Sequence, residues 1–199
     1  SNGVCASSSD DVTITVQPNP VTPNAGVDQT ICSTTTTLAA TAATGGVWTV
    51  ISGTGTFTNS SLATTAVSGL GVGSNIFRWT IPGGACPAVF DDVSITVQAA
   101  PTTSSAGSDQ TICSTTVTLQ GNSPSIGTGL WSVVSGTATF ANASSGTTGI
   151  TGLSVGNNIL RWTISNGICP TSTDEVTITV QPNPVTPNAG SDQTICTIT

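Results

Sequence analysis

The groups in this 199-residue sequence that could do chemistry are six cysteines, nine carboxylates and two arginines; histidine, lysine and tyrosine are absent. General acid–base catalysis needs positioned groups with tuned pKa values, and glycoside hydrolysis needs two facing carboxylates. The carboxylates here return at the same place in successive repeats, as parts of a framework do. The sequence therefore reads as that of a protein that is not an enzyme. The cysteines are Cys5, Cys32, Cys86, Cys113, Cys169 and Cys196. They contain no C-x-x-C pair and have no histidine to join them, so they do not form a zinc set. Their spacing points to disulfides and an oxidising, extracellular setting.

The carboxylates raise the question of calcium, a hard cation that takes several oxygens. Asp91 with Asp92, Asp174 with Glu175 and Asp10 with Asp11 open equivalent segments, and Asp28, Asp109 and Asp192 lie in another. The calcium candidates are Asp28, Asp91, Asp92, Asp109, Asp174 and Glu175. Against them stand the low number of acids per repeat and the lack of a D-x-D-x-D loop. The structural alternative is an Asx-type turn at Asp28 and an ion pair between one acid and Arg78. No cofactor is expected, with calcium kept as the one candidate. Arg78 and Arg161 are expected to lie across an outer sheet face, stem packed and head paired with an acid. Asn59 and Asn142 begin N-x-S sequons in equivalent loops, and would be surface sites if glycosylated. Threonine runs such as Thr35 to Thr37 fit strand propensity and a surface solvated by hydroxyls.

Composition excludes several functions. The formal net charge is −7 and only 6% of residues are charged. Nucleic-acid binding needs a cationic footprint that two arginines cannot supply, and attraction to anionic membranes fails for the same reason. No apolar run approaches a membrane span, so no membrane insertion is expected in this segment. Abundant Thr, Val and Ile and a mean hydropathy of +0.23 argue against disorder. With little charge to repel neighbours, side-by-side association of chains is plausible. The absence of methionine and of a signal-peptide pattern over Ser1 to Asp11 leads us to expect a mature piece of a longer protein.

The elements that position these residues come in repeats. AGVDQTIC at Ala25 to Cys32 returns 81 residues on, as AGSDQTIC at Ala106 to Cys113, and again 83 residues further on at Ala189 to Cys196. VGSNIFRWTI at Val72 to Ile81 matches VGNNILRWTI at Val155 to Ile164. DDVTITVQ at Asp10 to Gln17 matches Asp91 to Gln98 and Asp174 to Gln181. The expected organisation is the end of one repeat over 1–17, full repeats with their N-terminal linkers over 18–98 and 99–181, and a linker with the first strand of another repeat over 182–199. The linker QPNPVTPN recurs only at an offset of 164, the middle one reading QAAPTTSS, which suggests duplication in pairs. Proline-rich links stiffen a connection, so a rod is expected rather than beads on a loose string.

Within a repeat, apolar and polar residues alternate between Gly, Asn and Ser clusters, the pattern of an all-β sandwich. The first full repeat predicts strands near Asp28 to Cys32, Thr35 to Ala40, Val47 to Ile51, Gly55 to Phe57, Thr64 to Val67, Asn75 to Ile81 and Asp92 to Val97. Alternation puts Phe77, Trp79 and Ile81 on one face, and likewise Val93, Ile95 and Val97. Trp48 is expected to join Trp79 in one core and Trp131 to join Trp162 in the next. About 82 residues make a small core, so one disulfide per repeat is expected: Cys32–Cys86 and Cys113–Cys169. Such a bridge would contribute roughly 4 kcal/mol on the chain-entropy account. With Cys32 and Cys113 at strand ends and Cys86 and Cys169 in turns, the bridge would be peripheral. Cys5 and Cys196 would be half-pairs whose partners lie in neighbouring repeats outside this sequence.

The series AGxDQTIC, GxWxVxSGTxTF, TGLxVGxNxxRWTIxNGxCP and DxVTITVQ resembles the PKD-like or immunoglobulin-like tandem repeats of giant bacterial surface adhesins, which are associated with gliding motility and type IX secretion. It runs through essentially the whole sequence. The resemblance implies a structural segment of a secreted cell-surface adhesin or extracellular filament, a stalk for adhesion or motility. Its partners would be neighbouring repeats of the same chain, identical chains in a fibre, and a surface or glycan ligand. Two alternatives remain: a laterally self-assembling fibre, and an array of carbohydrate-binding modules on a secreted enzyme.

Overall fold

The structure, a computed structural model, describes residues 8–196. The chain divides into two units, Ser1–Ala99 and Ala100–Thr199. Among the described residues every regular element is a strand.

In the first unit the strands are β1 (Gln29–Ile31), β2 (Thr35–Ala39), β3 (Val47–Ser52), β4 (Thr56–Phe57), β5 (Thr64–Ser68), β6 (Gly73–Ile81) and β7 (Val89–Val97). They form one sheet in the order β1-β7-β6-β3 and another in the order β2-β5-β4. The second unit follows the same plan with β8 (Gln110–Ile112), β9 (Val117–Gln120), β10 (Thr128–Ser135), β11 (Thr139–Phe140), β12 (Thr147–Thr151), β13 (Gly156–Ser165) and β14 (Ser172–Val180). Its sheets run β8-β14-β13-β10 and β9-β12-β11. β1 lies parallel to β7, and β8 parallel to β14, while the other pairs are antiparallel. Each unit is an immunoglobulin-like β-sandwich.

The two-residue period explains the core. Phe77, Trp79 and Ile81 of β6 and Val93, Ile95 and Val97 of β7 turn inward, where Leu38 of β2 and Val67 of β5 meet them from the other sheet. Leu160, Trp162, Ile164, Val176, Ile178 and Val180 do the same in the second unit against Leu119 and Ile150. The central hairpin is longer than the sequence predicts. Its register runs unbroken from Gly73 opposite Val97 to Ile81 opposite Val89, carrying strand structure past the apolar stretch into Val89–Asp91. A bulge between Val50 and Ser52, matched between Val133 and Ser135, shifts the register on the edge strand. Val50, Ile51, Val133 and Val134 are exposed beside it.

Residues 10–17 carry the same octapeptide type that forms most of β7 and β14, yet they are irregular, with Val12, Ile14 and Val16 more than four-fifths exposed. They have no strand partner among the described residues, and an isolated strand is not stable in water.

Candidate functional site

The residues with chemistry sort by their place along the central hairpin. β1 pairs with the end of β7, Ile31 opposite Val97, so Cys32 follows at the pole where the chain leaves the unit. Cys86 lies in the loop from β6 to β7, beyond Ile81 and Val89. The nine residues of β7 separate the two poles by about 26 Å at a strand's rise per residue, whereas a disulfide needs Cα atoms within about 7 Å. The predicted within-repeat pairs Cys32–Cys86 and Cys113–Cys169 are therefore not formed. Cys86 and Cys113 carry free thiols, while Cys32 and Cys169 are each in a disulfide. Cys113 and Cys169 stand at opposite poles in the same way, next to the Ile112–Val180 pair and beyond the Ile164–Ser172 pair. Cys196 is a free, exposed thiol, and Cys5 lies outside the described residues.

The four tryptophans are buried. Trp48 and Trp79 face each other across the β3–β6 pair with ring centroids 5.2 Å apart, and Trp131 and Trp162 stand 5.1 Å apart across β10–β13. Each indole N–H has an acceptor: Ala63 carbonyl for Trp48, Thr41 carbonyl for Trp79, the Ser145 and Gly146 carbonyls for Trp131, and Asn122 Oδ1 for Trp162. Burying an indole without such a partner would leave a costly unpaired donor.

The acids are occupied in framework roles at separate places. Asp91 Oδ2 accepts the Ala25 N–H at 2.8 Å, and Asp174 Oδ2 accepts that of Ala106 at 2.7 Å, fixing the chain where it comes into each unit. Asp28 Oδ1 accepts the Ser94 N–H at 2.9 Å and Asp109 Oδ1 the Thr177 N–H at 2.8 Å, tying the first strand to the last. These bonds reach across the sheet, in place of the local Asx turn considered for Asp28. Asp92 takes Arg78 in a two-point contact at 2.7 and 2.8 Å, and Glu175 Oε1 accepts from Arg161 Nε at 2.9 Å. The hydrogen bond to Arg78, reinforced by its charge, holds the Asp92 carboxyl below the usual carboxylate range against a smaller opposing effect of desolvation. The guanidinium carbon of Arg78 also lies over the Phe90 ring, 3.7 Å from its centroid. No group of three metal-ligating side chains comes together among the described residues.

Two residues to which the sequence reading gave no role are central to each unit. Asn75 is 1% exposed; its amide donates to the Gly71, Gly73 and Ile95 carbonyls, and its Oδ1 accepts the Thr54 N–H at 2.9 Å. Asn158 does the equivalent with the Ser154, Gly156 and Ile178 carbonyls and the Thr137 N–H. The signal was the asparagine of VGxN, returning on the inward parity of an apolar strand. The sequon residues Asn59 and Asn142 are exposed, each closing an Asx turn with Ser61 N–H or Ser144 N–H at 3.0 Å.

The family model described as K319L-like, PKD domain matches residues 106–180, the body of the second unit. Among solved structures, the PKD domain from KIAA 1837 protein is similar at 25% identity over 44% of this chain and 92% of that one, with a TM-score of 0.37. Sidekick-1 immunoglobulin domains 1–4 are similar at 14% identity, over 84% of this chain and 51% of theirs, with a TM-score of 0.50. The insect immune protein hemolin is similar at 14% identity over 86% of this chain and 49% of its own, with a TM-score of 0.48. This chain thus spans about half the length of the latter two. No curated protein sequence matches it. Residues 106–180 are thus similar to a PKD domain, and each unit has the immunoglobulin-like sandwich fold.

Proposed function

We propose that this chain is a segment of a stalk of tandem PKD-like sandwiches, strung end to end in a secreted bacterial cell-surface adhesin or extracellular filament. One observation carries the reading. In each unit the chain comes in at one end of the central hairpin and leaves at the other. Ala25 is held by Asp91 near the start of β7, and Gln98 donates to the Ile31 carbonyl just past its end at 2.8 Å. Ala106 with Asp174 and Gln181 with Ile112 repeat this in the second unit. A domain with its ends at opposite poles lengthens a chain by its own strand length, about 26 Å for nine residues. Disulfide-bonded cysteines fit an extracellular setting. The motif series supports a parent protein in the gliding and type IX secretion class, and adhesion through many weak contacts.

Small-angle scattering of the full chain tests the geometry. A compact protein of 199 residues has a radius of gyration of about 16 Å. The stalk reading expects at least half as much again, and a value near 16 Å would sink it. Glycan-array and cell-binding assays test adhesion. The carbohydrate-module alternative requires exposed aromatic platforms, and all four tryptophans are at most 3% exposed. Lateral assembly into a fibre remains the second reading, favoured by the exposed Val50, Ile51, Val133 and Val134 on the edge strands. Ordered bundles in electron micrographs of the isolated protein would select it.

A further inference from the structure

The second unit holds an asparagine within reach of attack by its own main chain. In the turn from β13 to β14, Asn166 is followed by Gly167. The Cys169 N–H donates to the Asn166 carbonyl at 3.1 Å, and Gly167 has a φ of 55° while Ile168 has no positive φ. A positive φ at the first central residue alone marks a type II′ turn, which takes glycine there. Asn166 is half-buried and Gly167 is exposed. Glycine has no β-carbon to crowd its nitrogen, so it best lets that nitrogen reach the side-chain carbonyl before it. The turn does not need the amide. In the first unit the Cys86 N–H donates to the Gly83 carbonyl at 3.0 Å and Gly84 has a φ of 63°, so the equivalent turn closes on glycine. Other asparagines of the second unit are placed differently. Asn158 is buried with its amide bonded and precedes Ile159. Asn122 and Asn142 accept main-chain N–H groups and precede serine and alanine.

We infer that Asn166–Gly167 is a site of spontaneous deamidation, by which the second unit gains a carboxylate with no enzyme. The deprotonated Gly167 nitrogen attacks Asn166 Cγ, and a succinimide ring closes through the new N–Cγ bond. The Cγ–Nδ2 bond breaks, and the side-chain nitrogen takes up a proton and leaves as ammonia. Water then opens the ring at either carbonyl. Opening at Cγ gives aspartate, and opening at the main-chain carbonyl gives isoaspartate, in which the main chain runs through Cγ. Overall, asparagine and water become a carboxylic acid and ammonia, with no oxidant or reductant. Either product adds one negative charge to a chain of formal net charge −7. Isoaspartate also lengthens the main chain inside the turn, so the Cys169 N–H loses its present acceptor geometry. The modification goes beyond the stalk reading and does not depend on it.

Trypsin cuts this chain only after Arg78 and Arg161, so Asn166 falls in peptide 162–199 with Asn183 and Asn188 as internal controls. Asn183 precedes Pro184, which has no N–H, and Asn188 precedes Ala189. The other Asn-Gly pair, Asn2–Gly3, lies outside the described residues and in peptide 1–78. The folded full chain, held in mildly alkaline buffer at physiological temperature, should convert peptide 162–199 over weeks to slightly heavier aspartyl and isoaspartyl forms. Fragmentation should place the change at residue 166, and isoaspartyl methyltransferase should methylate the isoaspartyl form. The rate should rise with pH, because the attacking nitrogen is deprotonated. Asn166→Gly, which copies the first unit's turn, should abolish the change and leave the thermal melt intact. An Asn166 that stays intact in the folded chain while the isolated peptide reacts would overturn the inference. So would equal conversion at Asn188, or the same products after Asn166→Gly.

Discussion

The ring of Trp79 occupies the space where a side chain at Gly46 would begin. A Cβ built on Gly46 falls 2.6 Å from Cη2 and 2.9 Å from Cε2 of that indole, and Gly129 stands in the same relation to Trp162. Neither glycine has a positive φ, so what makes it glycine is the close approach of the ring. Gly46→Ala and Gly129→Ala should each destabilise their own unit by about 2–3 kcal/mol, as overpacking of a dense core does. Urea unfolding followed by tryptophan fluorescence reads this directly.

Asn75 satisfies four backbone groups at once, at the corner between β3 and β4 and around the loop before β6. Asn75→Leu preserves bulk but strands the Thr54 N–H and three carbonyls. The expected loss is about 3 kcal/mol, with Asn158→Leu equivalent. Fast amide exchange at Thr54 should accompany it; an unchanged midpoint in denaturant would show that water takes over these bonds.

The Arg78–Asp92 pair gives the first unit a pH dependence with a definite sign. Asp92 is held below its ordinary pKa in the fold, so its contribution is complete above the unfolded value of about 4. It is lost as pH falls through the lower folded value. Asp92→Asn should lower stability at pH 7 slightly and flatten the decline below about pH 4. Raised salt should shrink the difference, because the pair is exposed.

Asp91 and Asp174 act on the incoming chain. Asp91→Ala should free the Ala25 N–H, speed its exchange, and cost about 1–2 kcal/mol. Since these carboxylates and those of Asp28 and Asp109 serve backbone donors at separate places, removing divalent cations with EDTA should leave the melting temperature unchanged. A fall on chelation that calcium restores would place an ion among them.

Much of this was readable from residue order because a strand has a period of two. Parity put Phe77, Trp79 and Ile81 inward, and the core holds them. It placed Arg78 outward, where it found Asp92 directly opposite on β7. The same parity pointed Asn75 inward, but the backbone groups it serves belong to segments far apart in sequence, so its role was not legible.

Residue order by itself determined the repeat, the strands and the face each side chain takes, since these depend on local alternation and turn chemistry. It did not determine at which end of a sheet each cysteine stands. Cys32 and Cys86 looked like partners by number, yet the parallel pairing of β1 with β7 puts them at opposite poles. Parity says which face a residue takes, while long-range register says where along the sheet it lies, and only the folded chain sets that register. Residues 10–17 make the same point, since a DxVTITVQ segment becomes strand beside β6 and stays irregular where no strand pairs with it.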